Sequence, residues 1–375
     1  MNLFSSSNSY LGIDIGTSSI KMVELENFKG QAKLKTYGYA DVSTNILRGT
    51  VEKNNQAIAD YINLIASKSK ITSRQVVAAL PTFSVFNFII TLPPMPKKDL
   101  AAAIKWEAKK FIPVPIEEMI LDWKILNKKK VKSSGLFAKK IEDKIETKEV
   151  PANATNPTST HIDDKNYRIL LTAAPKNLVA RYIDIFKKAK LNLLSLETEA
   201  FALSRSLIGN DLSTIMIVDM GSSNTDICII EEGVPVLNRG IDTGGESLTK
   251  GIMNSLNINQ ERAEQFKRDF GLSAGANQNI PDVIEKSLSA IINEIKYIFE
   301  IYQRQGASTI DKIILTGGSA WLPKLPEYLS NLLKLPVIIG DPWDRIVYPL
   351  DLKPVLYEIG PSMAVSIGLA MRDIQ

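Results

Sequence analysis

Gly12–Glu24 reads GIDIGTSSIKMVE, and Val218–Ile229 reads VDMGSSNTDICI. Each stretch is an apolar strand that meets Asp-x-Gly, passes through small hydroxyl residues and resumes as a second apolar strand. Apolar alternation broken by glycine is a hairpin signature. One copy opens the chain and the other opens its second part. Their separation is far too long for a solenoid repeat. It implies two related lobes, each beginning with its own hairpin.

The chemistry of such a pair is phosphate chemistry. A phosphate chain needs backbone N–H groups at close range, and Gly16 and Gly221 let the backbone approach without a Cβ in the way. Thr17, Ser18 and Ser19 follow in one hairpin, and Ser222, Ser223 and Thr225 in the other; their hydroxyls can add hydrogen bonds to phosphate oxygens. Lys21 can place a positive charge on a β- or γ-phosphate. Asp14 and Asp219 each stand two residues before the glycine. Mg²⁺ keeps much of its water and takes few carboxylates, so one aspartate per hairpin can hold the hydrated ion between them. Two further glycine pairs fit. Gly317, Gly318 and Ser319 follow a buried-looking strand, where flat backbone can lie against a ribose or adenine. Thr243-Gly244-Gly245-Glu246 opens a helix, a natural place for phosphate or ribose contacts. Each feature alone also reads as an ordinary turn, and their order along the chain carries the argument. Neither GxxxxGK[ST] nor GxGxxG occurs, which removes support for the P-loop and Rossmann folds.

The 375 residues exceed what one core usually organises. Hydrophobic residues at 45% and charged residues at 23% describe an ordinary soluble protein. A net charge of +4, much of it from the lysines around 128–140, is too small to argue for nucleic acid. Cys228 is the only cysteine, so no intramolecular disulfide forms, which is compatible with a reducing cytosol. The opening MNLFSSSNSY has no signal-peptide core, and no window reaches the ~18–20 apolar residues of a membrane span. The expectation is a cytosolic protein whose membrane association goes through a partner, with no direct membrane insertion.

Between the hairpins the pattern predicts helices over 54–67, 97–111 and 177–190, and strands over 75–80, 83–92, 119–126 and 167–174. Beyond the second hairpin it predicts helices over 247–255, 260–270, 281–305, 322–333 and 360–371, with a strand at 312–316. Residues 127–166 carry a lysine run, alternating charge and Pro-Ala-Asn-Ala-Thr-Asn-Pro. They read as a mobile insertion, and His161 within it reads as solvated surface. The expected fold is α/β. Two related lobes flank a nucleotide cleft, and a small α+β subdomain is inserted in the first lobe. The expected boundaries are 1–82, the subdomain 83–190, the second lobe 191–358, and a C-terminal helix 359–375 returning to the first lobe.

This order of hairpin, acidic helix entry, second hairpin, Gly-Gly and late small-residue helix resembles the actin, heat-shock chaperone and sugar kinase ATPase superfamily. Within it, YLGIDIGTSSIKMVEL at 10–25, LPPMPKKDLAAAIKWEAKKFIPVPIEEMILDW at 92–123, LETEAFALSR at 196–205, VDMGSSNTDICII at 218–230 and LTGGSAWLPKLPEYLSNLLKLPV at 315–337 are similar to the PilM family of type IV pilus assembly proteins. The resemblance implies the actin-like fold and binding of ATP with Mg²⁺, with slow or absent turnover. It implies a platform role that holds the cytoplasmic N-terminal peptide of a PilN-like membrane protein. It also implies a link to the pilus motor ATPases and platform protein. Self-association is left open. The resemblance further implies a water-orienting carboxylate between the lobes, Glu199 or, with the alignment slipped by two, Glu197; both also read as caps of the helix that follows.

Two other readings compete. A division or cytoskeletal actin of the FtsA kind shares the inserted subdomain, but such proteins carry a basic apolar tail and this chain ends AVSIGLAMRDIQ. A sugar or carboxylate kinase needs a general base facing a closed substrate pocket, and no separate aspartate sits in a recognisable substrate motif.

Overall fold

The computed structural model describes residues 9–42, 52–126, 166–273, 279–304 and 309–374. The expected insertion at 127–166, with His161, lies outside the described residues except for Asn166.

β1 (Ser9–Ile15) and β2 (Ser19–Phe28) form the first hairpin, with Asp14 opposite Lys21 and Ile15 opposite Ile20. β3 (Gln31–Asp41) continues the meander, and β4 (Gln75–Leu80) adds to β1 in parallel. The module strands β5 (Phe86–Leu92), β6 (Met119–Ile125) and β7 (Tyr167–Pro175) intervene before β8 (Asn192–Thr198) pairs with β4. In the second lobe β9 (Ile215–Met220), β10 (Thr225–Glu231) and β11 (Val234–Ile241) form the meander. β12 (Lys312–Thr316) and β13 (Val337–Ile339) add in parallel. The first sheet therefore runs β3-β2-β1-β4-β8 and the second β11-β10-β9-β12-β13, the same order twice. The repeat seen in two hairpins extends to both sheets. β14 (Ile346–Val347) extends the first sheet beside β3.

Helices cover the sheets because their apolar stripes match the strands' buried faces. α1 (Glu52–Lys68) packs under the first sheet, and α2 (Lys97–Ala108) covers the module sheet β5-β7-β6 with Leu100, Ile104 and Ala108. α3 (Lys176–Lys188) buries Tyr182, Ile185 and Phe186 against Ile58, Ile62 and Val76. The expected subdomain boundary at 190 is therefore wrong. α3 belongs to the first lobe's core, and the module is residues 86–125 with 167–175. The second-lobe boundaries at 191 and 358 also move, because β8 and β14 both pair within the first sheet. In the second lobe α5 (Gly245–Leu256), α6 (Gln260–Phe270), α7 (Asn279–Arg304) and α8 (Leu325–Leu333) enclose a separate core. The expected strand from Phe83 begins at Phe86, because Pro81 leads into a 3₁₀ turn at Thr82–Ser84.

α4 (Glu199–Leu207) and α9 (Lys353–Ala370) cross between the lobes. α9 starts seven residues before the expected Gly360, with Pro354 in its first turn, and Pro361 lies inside it. Its close approach needs glycine twice. A Cβ on Gly368 would fall on the Ala202 carbonyl of α4, and a Cβ on Gly12 of β1 would fall on the Ser366 carbonyl of α9. Arg205 of α4 donates to the Gly368 carbonyl and pairs with Glu197 at 2.9 Å, and Arg372 pairs with the same Glu197 at 2.7 Å.

Gly368→Ala pushes α9 off α4. Urea unfolding should show a loss of about 1–3 kcal/mol, the usual size of core overpacking. An unchanged midpoint would show that the crossing tolerates a methyl group.

Candidate functional site

A cleft of about 970 Å³ opens between the lobes and is walled by both hairpins. Its geometry follows from the strand registers. Asp14 and Lys21 are cross-strand neighbours in the first hairpin, and their side chains meet at 3.2 Å. Asp219 and Asp226 are cross-strand neighbours in the second. Gly16 closes its turn by donating to the Ser19 carbonyl at 3.0 Å. The turns touch through the Thr17 hydroxyl, which donates to Asn224 Oδ1 at 3.3 Å, while Asn224 Nδ2 donates to Asp226 at 2.7 Å.

The start of α5 is built onto the second turn. Gly245 N donates to the Gly221 carbonyl at 2.9 Å and Glu246 N to the Ser222 carbonyl at 2.7 Å. A Cβ on Gly244 would stand 2.7 Å from both carbonyls. Gly317 takes φ +85° against Asp219, and a Cβ there would overlap the Asp219 carboxylate. The Pro361 carbonyl of α9 accepts from Gly317 N at 3.0 Å and from the Thr316 hydroxyl at 2.8 Å, which ties this loop to the crossing helix. Gly318 faces open space, with nothing within 4 Å of a Cβ built on it.

The cleft gathers Asp14, Gly16, Thr17, Ser18, Ser19, Lys21, Glu199, Asp219, Gly221, Ser222, Gly245, Gly317, Gly318 and Ser319. Ser223, Thr225 and Gly244, expected beside them, are not in its wall. Alternation turns Ser223 and Thr225 inward, where the Thr225 hydroxyl donates to the Thr243 carbonyl at 2.7 Å, and Gly244 is spent on the contact with the second turn. The two candidate glutamates separate: Glu199 lines the cleft, whereas Glu197 is held by Arg205 and Arg372 outside it.

The charge balance is one-sided. Asp14, Asp219 and Glu199 converge on Lys21, and Asp226 lies beside Glu199 and Asp219. Burial pulls the Lys21 ammonium down, but Asp14, Asp219 and Glu199 outweigh it and raise it. Burial, with Asp14 and Asp219 nearby, pushes Glu199 up to about 8 despite two hydrogen bonds from Thr82. Burial also lifts Asp219 to about 6, against the pull of Lys21, and raises Asp226 well above the carboxylate range with help from Glu199 and Asp219. One carboxylate oxygen of Asp226 is buried with no hydrogen-bond partner.

Sequence reasoning missed the cleft's far wall. Lys267 of α6 donates to Glu264 at 2.7 Å, to the Thr249 hydroxyl at 3.0 Å and to the Gly245 carbonyl at 3.2 Å. Gln260 and Arg268 join them. These α6 residues share one face at helical spacing, but a charged stripe is normally a solvated face, and the sequence alone has no signal to tell them apart.

A second cavity of about 480 Å³ lies behind the first turn. Ile58, Leu178, Tyr182 and Ile185 of the first lobe, Pro81 and Phe83 at the module root, and Asp242 of the second lobe line it. It shares Gly16, Thr17, Glu199 and Asn224 with the main cleft.

Duplicated sheets, facing Asp-x-Gly hairpins and crossing helices between lobes define an actin-like ATPase fold. A family model described as type IV pilus assembly protein PilM matches residues 12–153 and 152–374, and the chain belongs to that family. The solved structure of a PilM–PilN type IV pilus biogenesis complex superposes with a TM-score of 0.78 at 24% identity, covering 98% of each chain. The ethanolamine utilization protein EutJ of Carboxydothermus hydrogenoformans has a TM-score of 0.54 at 17% identity, covering 96% of this chain and 89% of its own. The cell division protein FtsA of Enterococcus faecalis is 25% identical over 87% of this chain and 77% of its own length. Among the described residues, no helix is long and apolar enough to cross a membrane.

A buried carboxyl held at about 8 keeps its proton more tightly in the folded chain than the ordinary value of 4.5 allows in the unfolded one. Its drag on stability is absent below about pH 4.5 and grows as pH rises towards 8. Glu199→Gln keeps an acceptor for Thr82 and removes the ionisation. In denaturant melts it should stabilise the protein by on the order of 2 kcal/mol at pH 8 and give no gain at pH 4.5. A gain of equal size at both pH values would contradict the assignment.

Proposed function

We propose that the cleft binds ATP with Mg²⁺, and that the chain is a platform of type IV pilus assembly taking the cytoplasmic N-terminal peptide of a PilN-like membrane protein. One observation carries the first part. Two glycine turns from duplicated lobes face one another across a cleft where Asp14, Asp219 and Glu199 surround Lys21, and where the lining carboxylates outnumber the cations Lys21, Lys267 and Arg268. A site this short of positive charge suits a cation, and the open position at Gly318 suits a ligand lying flat against the backbone.

The residues fit the group. Asp14 and Asp219 would hold the hydrated Mg²⁺, which neutralises phosphate charge when bound. Lys21 and the turn amides after Gly16 and Gly221 would hold phosphate oxygens. Glu264, Lys267 and Arg268, with Gly317 and Gly318, would meet the ribose and base. Glu199 is the candidate to orient a water, with turnover slow or absent. MreB5 of Spiroplasma citri, solved with AMPPNP, shares the fold at a TM-score of 0.50 and 14% identity.

The partner reading rests on the family and on the PilM–PilN complex. The second cavity offers a seat with an apolar wall of Ile58, Leu178 and Ile185 and polar groups from Glu199, Asn224 and Asp242 opposite, suited to a side chain of an extended peptide. Through that partner the protein would sit at the inner face of the cytoplasmic membrane, within reach of the motor ATPases and platform protein.

ATP with Mg²⁺ at about 100 times its dissociation constant should stabilise the chain by roughly 2.7 kcal/mol. Asp14→Ala and Asp219→Ala should each weaken ATP binding far more with Mg²⁺ than in EDTA, while the melting curve of the free protein stays cooperative. Equal affinities in wild type and both variants would mean that these carboxylates hold no metal.

A peptide of the first ~20 residues of a PilN-like protein should bind at micromolar concentration in fluorescence anisotropy, and Leu178→Asp should weaken it at least ~10-fold. Undiminished binding to Leu178→Asp would place the peptide elsewhere.

A further inference from the structure

We infer that Thr82 is a positioning residue for Glu199, and that through it the nucleotide cleft is mechanically linked to the three-stranded module. The inference rests on the cleft being the nucleotide site.

The backbone N–H of Thr82 donates to Glu199 Oε2 at 3.0 Å, and its hydroxyl donates to the same oxygen at 2.7 Å. Two donors from one residue on one oxygen set the carboxylate's orientation, and Thr82 is buried. Glu199 is the first residue of α4, the helix that crosses α9 between the lobes. A shift of either partner therefore moves the other.

Thr82 also stands where the chain leaves the first lobe for the module. The 3₁₀ turn Thr82–Ser84 joins β4 of the first lobe to β5 of the module. The residue after Thr82 reaches the second lobe: a Cβ built on Gly240 of β11 would stand 3.4 Å from Phe83 Cβ and 2.6 Å from Asp226 Oδ1. Glycine at 240 thus lets the module root approach the carboxylate cluster. The module's central strand has a second hold on that lobe, Arg168 to Glu231 at 3.6 Å. The root therefore hangs from the first lobe by its backbone, from the second lobe by Phe83 and Arg168, and from the cleft by Thr82. When a ligand changes the spacing of the lobes, these three attachments cannot all stay fixed, and the strain falls on the turn.

A purely local role is the competing account: Glu199 would satisfy the turn's N–H and nothing more. Hydrogen exchange separates the two. Amide exchange over residues 82–92 is compared with and without Mg·ATP, at a concentration that saturates each variant by calorimetry. Wild type should slow by about threefold or more on binding. Thr82→Val, which keeps shape and N–H but removes the hydroxyl, should abolish that change, and Thr82→Ser should retain it. Phe83→Ala provides a second lever at an exposed side chain, and should also reduce the change. Nucleotide binding with no response over 82–92 in wild type overturns the inference alone, as does a full response in Thr82→Val. No Mg·ATP binding by wild type removes the cleft reading and the inference with it.

Discussion

The structure depends on a backbone contact between helices that only glycine permits. α9 lies against α4 at Gly368 and against β1 at Gly12, close enough that a methyl group at either would overlap a carbonyl oxygen. That crossing sets how far apart the sheets stand, and so whether the hairpins at their edges face one another. The Pro361 carbonyl extends the same helix's influence to the Gly317 loop. Moving the crossing by the width of a side chain would separate Asp14 from Asp219, whose local hairpins would remain intact.

The fold was legible where local chemistry and tertiary position agree. The Asp-x-Gly hairpins, the strands at Gln75–Leu80 and Lys312–Thr316, and the helix Gln260–Phe270 lie where periodicity puts them. Legibility fails where packing decides. α3 has the pattern of any amphipathic helix, and nothing in that pattern says that Tyr182 and Phe186 pack on α1 rather than on the module. β13 and β14 are three and two residues long, too short for alternation to show. α9 runs through Gly360 and Pro361, which read as a start because proline normally breaks a helix interior.

The candidate site was legible in the same partial way. The glycines and aspartates at turn spacing, read in the sequence as a phosphate site, line one cleft, apart from Gly244. Hydroxyls at alternate positions cannot all face one cleft, so Ser223 and Thr225 turn inward while Asn224 faces the first hairpin. The Glu264–Lys267 wall was invisible, since a buried lysine on a charged helix differs from a solvated one only by what packs over it.

The same cleft explains a cost in stability. Carboxyl groups buried near one another are held above their ordinary range, and on the proposed reading a cation between them would offset that cost. A crystal structure of the full chain grown with Mg²⁺ and a non-hydrolysable ATP analogue tests this account most directly. The account predicts phosphates between the turns at 16–19 and 221–224, a metal between Asp14 and Asp219, and the base against α6 and Gly317-Gly318. A nucleotide seated outside the cleft, or phosphates that touch only one of the two hairpins, would contradict it.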